Sequence, residues 1–583
     1  MDHADLSNNS ILEMLLKTNR PPTDQERAII QESMSPTNAE LKAVEDQISE
    51  ATTHIRALTS QSRIEQMRKQ AHEEAFEEAE GKLKRLRKEK AAILEATADH
   101  RRALSTFRNL PEDVLREICV ACVEADIPKL SYRSTPLPYI LAQISSDIRR
   151  IALTTPFLWA SIHVCIPTWY SFDRKRDTQI CSILASRASE WLDRAGGSAL
   201  TVFMEDPNYE QTEDTTESDP SHELFTTLLR YSTRWRRIHF ESNCRDALST
   251  PITRIAALTA IDAPLLESIS LSFQLGASVF YGSTLLEIPT LKRLTLNTFW
   301  DDLPEYAFVS GFNVNWAVLT SLTLRGGYNT PSCVDGIAWI LLDTKCLIFC
   351  DIVVNPSSGD SPVCEINLPF LEILHLTEKT FEPESSRVPS ILDLLTAPNL
   401  TVLKIRAAFL KNSLLNFFKR SPRVQDLSIC HSDSEESFAE IAELLHHCPL
   451  LSILSLQPPW KANPAYRPAA NVDSFLRAFV EDAGAGVLCP RLQKLDFPAK
   501  IVFSLQTLRQ FLEAKQRGSA TQNDALAPWK SVRIDMICIK DLKIYRQMLD
   551  LLWEKREMGL DVESYYKDEA ILPDKYLYRW EYS

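Results

Sequence analysis

Glycine is scarce in this chain, 14 residues among 583, which leaves few places where backbone could close tightly on the phosphates of a nucleotide. Long apolar runs are missing as well. Nothing reaches the roughly 18 residues needed to span a bilayer, and the opening MDHADLSNNS is polar and acidic, unlike a secretory leader. Surplus positive charge is also lacking: 64 Lys+Arg stand against 78 Asp+Glu, a formal charge of -14 that disfavours nonspecific attraction to nucleic-acid phosphates. The basic clusters are local. Lys82–Lys90 reads as a solvated helix face and Arg234–Arg237 as the start of a strand. A cytoplasmic or nuclear protein is expected, with neither a membrane nor a nucleic acid as partner.

Motifs that carry chemistry are missing too. There is no G-x-x-x-x-G-K-[ST] phosphate loop, no G-x-S-x-G nucleophile elbow and no H-E-x-x-H zinc helix, so neither an enzyme nor a cofactor is expected. The trio His446–Cys448 reads as a helix terminus ahead of Pro449. The 13 cysteines are an odd number spread from Cys119 to Cys538, as reduced core thiols would be. Cys119 and Cys122 form a C-x-x-C without a second pair, and helical spacing alone accounts for it.

What is present divides into regions. Residues 1–38, containing NRPPTDQE, are expected to be loosely ordered. Residues 39–106 are rich in Glu, Lys, Arg, Ala and Gln without proline, and a heptad runs from Leu41 through Ile48 and Ile55 to Leu83 and Leu104. Its middle is polar, at Ser62, Glu65, Lys69 and His72. Either one long helix pairs with a second copy of the chain, or the segment folds back as a hairpin.

In residues 107–166 the stretch FRNLPEDVLREICVACV opens a helix. Pro111 suits a first turn, Glu112 and Asp113 suit the positive end of the helix dipole, and Val114, Leu115, Ile118, Cys119, Cys122 and Val123 repeat at three and four. Leu141, Ile144, Ile148, Ile151 and Ala152 mark a second apolar stripe, which Thr154–Pro156 stops before Trp159. Helices this short bury too little surface to be stable alone, so a neighbour or partner must complete their core.

From residue 167 to 583 a loose phrase recurs, P-x-L-x-x-L-x-L, starting at Pro264, Pro289, Ala317, Pro369, Pro398, Pro422, Pro449 and Pro490. The gap of 52 residues between Ala317 and Pro369 looks like two units, the hidden one near CLIFCDIVV from Cys346, and RWRRIHF and SVRIDM extend the series at either end. Each phrase ends as a short strand of alternating faces, and stretches such as ILDLLTAPNL, SLLNFFKRSP and FAEIAELLHHCP read as helices that cover its buried side. The expected fold is α/β: a parallel solenoid, with the proline ending each helix and fixing an extended entry. Residues between the paired apolar positions share an outward face: Thr295, Thr323, His375, Lys404, Ser428, Ser455 and Asp496. Their mixed chemistry suits a protein partner.

Leu110, Pro111, Glu112, Val114, Leu115 and Ile118, then Leu141, Ile144, Arg149 and Ile151, then Pro156, Leu158 and Trp159 resemble an F-box. The whole layout is similar to the F-box proteins with irregular leucine-rich repeats common in mushroom-forming fungi. The chain departs from that pattern at Ile144, Ser145 and Ile148, where the family usually has Val-Cys and Trp, and its repeats lack the usual asparagine. The resemblance implies a small helical box that docks on the adaptor of an SCF ubiquitin ligase, and through it on a cullin scaffold, while the repeats recruit an unknown protein substrate. It implies adaptor contacts at Leu110, Pro111, Glu112, Val114, Leu115, Ile118, Ile144 and Trp159. The alternative is a coiled-coil and repeat scaffold with no ubiquitin role.

Overall fold

The structure is a computed structural model that describes residues 8–18, 22–62, 69–103, 110–132, 134–166, 174–207, 221–242, 250–273, 282–298, 313–325, 334–354, 365–378, 390–406, 411–430, 435–457, 470–480, 488–517, 527–536 and 542–566. The chain divides into two compact units: Met1–Pro128 with Thr135–Trp159, and Lys129–Ser134 with Ala160–Ser583.

The first unit is helical. Helices α1 (Asn8–Thr18), α2 (Asp24–Ser62), α3 (Lys69–Ala96) and α4 (Ala98–Ala103) precede α5 (Glu112–Ala125), α6 (Leu137–Ile144) and α7 (Ser146–Thr154). The first 38 residues are therefore not loosely ordered throughout. Ile11 and Leu15 of α1 bury themselves with Ile30 and Met34 of α2, enough apolar surface to hold both segments despite their polar composition. Heptad residues Val44, Ala51 and Ile55 pack with Ala79, Leu83, Leu86 and Ile93, and Lys90 pairs with Glu45 at 2.8 Å. Six residues cannot cross the roughly 40 Å that a parallel return along α3 would require, so the two helices run antiparallel. Over its described residues the seam is thus filled from within the chain. Of the polar heptad middle, Glu65 lies outside the described residues, as do the side chains of Ser62, Lys69 and His72.

The second unit is built on a parallel sheet. Its strands are β1 (Lys129–Leu130), β2 (Ser161–Cys165), β3 (Leu200–Asp206), β4 (Trp235–Ser242), β5 (Ser268–Phe273), β6 (Arg293–Thr298), β7 (Ser321–Arg325) and β8 (Phe349–Val354). There follow β9 (Ile366–Asn367), β10 (Ile373–Glu378), β11 (Leu395–Thr396), β12 (Val402–Arg406), β13 (Asp426–Cys430) and β14 (Ile453–Gln457). The last four are β15 (Ala470–Asn471), β16 (Lys494–Val502), β17 (Ser531–Met536) and β18 (Asp561–Tyr566). Neighbours in the main sheet follow chain order from β1 to β18, with β15 beside β16 and the short pair β9–β11 set apart. Two strands, β1 and β2, fall inside residues 107–166, where a purely helical domain was expected. The cause in β2 is local: Ile162 and Val164 alternate inward, as strand residues do.

One carbonyl per strand sets the register. Lys292 and Arg293 N–H donate to the Glu267 carbonyl, Thr320 and Ser321 to Lys292, Ile348 and Phe349 to Thr320, and Glu372 and Ile373 to Ile348, at 2.8–3.1 Å. The same step continues through Thr401, Gln425, Ser452, Gln493 and Lys530. Ile348 occupies the middle of the 52-residue gap, so that gap contains two strand units, as the sequence suggests.

The recurring proline acts differently from expectation. Leu266 N–H donates to Ala263, Leu291 to Ile288, Leu371 to Leu368, Leu400 to Ala397, Leu451 to Cys448 and Leu492 to Cys489, at 3.0–3.2 Å. Pro264, Pro289, Pro369, Pro398, Pro449 and Pro490 therefore each hold the second position of a β-turn, where a fixed φ near -65° is preferred. The proline shapes the turn that feeds the strand. ILDLLTAPNL is helical only over Ile391–Leu394, beyond which Leu395 and Thr396 pair with Ile366 and Asn367. SLLNFFKRSP and FAEIAELLHHCP do hold helices, Lys411–Arg420 and Glu435–Leu445. Helices pack on the buried face of the sheet through aromatic pairs, Phe225 with Phe240 at 6.3 Å and Phe438 with Phe497 at 5.4 Å.

Candidate functional site

Two surfaces carry the residues singled out from the sequence. The first is formed by α5–α7 and the turn Pro156–Trp159. Leu115, Cys119 and Val123 line the inner face of α5, while Val114 and Ile118, one turn apart on another face, are 40% and 36% exposed. Ile144 at the end of α6 is 58% exposed, Pro111 and Glu112 are exposed, and Leu110 is half-buried. Ile140, Leu153 and Phe157 add further exposed apolar groups.

Leu115 and Trp159, both among the expected adaptor contacts, are buried within the chain. Trp159 is wholly buried, its Nε1–H donates to the Ala152 carbonyl at 2.7 Å, and its ring meets Tyr139 edge-on at 5.2 Å. Leu115 is 8% exposed. Both hold the helices together from inside, because an indole with its donor satisfied is stable in a core. Glu112 ties elements too: Arg150 donates to it at 2.8 Å and Arg116 at 2.7 Å. Those two guanidinium hydrogen bonds, that of Arg150 first, hold its carboxyl below the usual range.

Residues 145–149 have local structural roles. Ser145 ends α6 in extended backbone and caps α7, its Oγ accepting from Ile148 N–H at 3.2 Å. Ile148 is buried, and Arg149 Nε donates to the Ala142 carbonyl at 2.8 Å.

The second surface is the open face of the sheet. Register pairs Thr295 with Thr323, Thr323 with Asp351, Asp351 with His375, His375 with Lys404, Lys404 with Ser428, Ser428 with Ser455 and Ser455 with Asp496. All seven residues expected on the outward face therefore stand in one row. Sequence reading missed the rest of that row: Asp351, Lys129, His163, Phe203, His239 and Ser270 precede or interrupt the series, and Arg533 and Glu563 follow it. The signal was the same alternation: it was present in β4, β5, β8 and β17, whose units the sequence reading had found, and hidden in β1, β2, β3 and β18, which lack the leucine phrase.

Chemistry changes along the row. At one end Glu205 lies 3.3 Å from His163 Nε2 and 3.4 Å from Lys129 Nζ. Phe203 lies between two imidazoles, with ring centroids 6.1 Å from His163 and 5.2 Å from His239. His239 meets Ser270 Oγ at 2.8 Å and Glu241 at 3.8 Å. Burial first, and Lys129 second for His163, lowers both imidazole pKa values, so the rings are neutral at neutral pH. Burial pushes the Cys165 thiol up to about 11. Lys129, Cys165 and His163 together overcome the burial that would raise Glu205, and leave it lowered.

Further along, buried Asp351 accepts from Arg325 at 2.5 Å. His375 packs edge-on against Phe349 at 5.4 Å, and its pKa is lowered by burial and then by Lys404. Burial raises the Asp426 carboxyl above its ordinary range. Among the described residues no group of three or more His, Cys, Asp or Glu side chains could hold a metal ion, and no helix is long and apolar enough to cross a membrane. Compared with known proteins, the chain matches no family model and no curated sequence.

Proposed function

We propose that this protein is the substrate-recruiting F-box subunit of an SCF-type ubiquitin ligase, with its sheet built as an irregular leucine-rich-repeat solenoid. The observation that carries the reading is the exposed apolar stripe of Val114 and Ile118 on α5, beside Leu110 and Pro111, with Ile144 exposed at the end of α6, on short helices whose own core is already filled by Leu115, Ile151 and Trp159. Such a stripe, on supports that hold it still, is what an adaptor subunit would cover. Leu115 and Trp159 support the contact from below. Chemistry on the target belongs to other subunits, and this chain contributes proximity: a target tethered beside a charged conjugating enzyme meets it at high effective concentration.

Pull-down of adaptor and cullin tests the reading. Wild-type chain should retain both, and Ile118→Asp with Ile144→Asp should weaken retention about 30-fold or more, as loss of a central anchor of about 2 kcal/mol implies. Equal retention by wild type and variant, or none by either, returns the chain to the scaffold reading.

A further inference from the structure

The open face of the sheet is polarised. At neutral pH its β2–β4 end presents Glu205 and Glu241, directly opposite one another in the ladder, beside Lys129, with exposed Arg237 two positions before His239 on the same face. Like charges facing across a ladder are unfavourable, so this pair stands ready for a cation. Phe203, half-exposed between the two rings, supplies an aromatic face beside the carboxylates.

The middle of the sheet presents exposed groups of the opposite sign, with the half-buried Asp426 carboxyl beside Lys404. Arg325 is 57% exposed at its side chain and its guanidinium is fixed by buried Asp351, while exposed Lys404 and Arg406 make no ion pair among the described residues. This basic group stands out in a chain whose formal charge is -14. Between the two regions β5, β6 and β7 turn outward only hydroxyl groups in the central row: Ser270, Thr295 and Thr323. Neighbouring strands lie about 4.8 Å apart, so Arg325 is about 14 Å from Glu241, and the strand of Lys404 about 29 Å away, measured across the sheet. An extended chain advances about 3.4 Å per residue and covers those spans in roughly four to nine residues.

We propose that this face binds an extended polar segment of a partner protein that carries a basic side chain for Glu205 and Glu241 and, some four to nine residues away, acidic side chains for Arg325, Lys404 and Arg406. This deepens the recruiting role proposed above by giving the chemistry of the target, but its test uses no adaptor and so fails or succeeds separately.

Fluorescence polarisation with the full chain provides the test. The probes are synthetic 14-residue peptides of Ser, Thr and Gln bearing two adjacent arginines and, seven residues further along, two adjacent glutamates, in both chain directions, beside uncharged, all-acidic and all-basic controls. At low salt a bipolar peptide should bind at least tenfold tighter than every control, and the preference should fade as salt rises. Lys404→Glu with Arg406→Glu should cost tenfold or more, as should Glu205→Lys with Glu241→Lys. The fourfold reversal should restore binding, because the peptide can then lie the other way round. Unchanged thermal melting of each variant separates lost binding from lost folding. Equal binding of bipolar and control peptides, or reversals without effect, overturns the proposal.

Discussion

Leu115 and Ile118 sit on one helix three residues apart, yet the first is sealed in a core and the second faces solvent. Leu115→Ala should therefore lower unfolding stability by about 2–5 kcal/mol, through the cavity it leaves. Ile118→Ala should change stability by less than about 0.5 kcal/mol and, on the function proposed above, weaken adaptor retention, and denaturant titration of both variants checks the contrast. Glu378 makes a different case. Its carboxyl is buried and accepts from Ser390 Oγ at 2.7 Å and Ile391 N–H at 3.1 Å, but burial prevails and raises its pKa. The folded chain then holds this proton above the pH at which the unfolded chain releases it, so the group's contribution to stability falls as pH rises from the ordinary carboxyl range upward. Glu378→Gln keeps an acceptor oxygen without the charge. Its melting temperature should gain on that of wild type as pH is raised from 4 to 8, a trend that thermal melts across the range would reveal.

Among the elements, the end of the helix Leu542–Glu557 shows how one backbone conformation decides a boundary. Gly559 has φ 88°, its N–H donates to Arg556 and the Leu560 N–H to Lys555, the paired closure of a Schellman motif. Gly559→Ala should cost about 1–2 kcal/mol, because a Cβ is strained in that conformation, and equilibrium unfolding would measure it. The α2–α3 hairpin depends on burial, since its Glu45–Lys90 pair is exposed and contributes at most about 1 kcal/mol. Val44→Asp places a charge in the seam and should open the hairpin. Hydrogen exchange should then quicken across α2 and α3 while β10 to β14 stay protected, the two belonging to separate compact units.

Over the whole molecule, each strand of the main sheet pairs only with near neighbours in chain order, β9, β11 and β15 standing outside its path, so stability accumulates by neighbours rather than through one shared core. Leu403→Ala, in the buried row of β12, should loosen β10 and β13 before β2 or β3. Hydrogen exchange resolved by segment would show that gradient, and a single uniform loss of protection would contradict it. The heptad seam bears on assembly in the same way. With Val44, Ile55, Leu83 and Leu86 already packed against one another, the described residues of the seam leave no free stripe for a second copy, and the chain should sediment as a monomer at micromolar concentration.

Much of this was written in local spacing. The heptad, the helix after Pro111, the leucine phrase and the hidden unit near Cys346 are periodic features, and periodicity is set by backbone geometry that neighbouring residues share. The outward row from Thr295 to Asp496 followed for the same reason. Which of Val114, Leu115, Ile118 and Trp159 face solvent did not follow, because apolar side chains at helical spacing look alike until the neighbouring helices choose a side. The strands β1, β2, β3 and β18 were equally hidden, for they join the sheet through backbone hydrogen bonds that any side chain permits. Nor could spacing tell a hairpin from a dimer. The sequence by itself determined the repeating elements and their inner and outer faces; only tertiary packing decided which apolar groups stay uncovered and which charges gather on the open face, because both depend on neighbours far away along the chain.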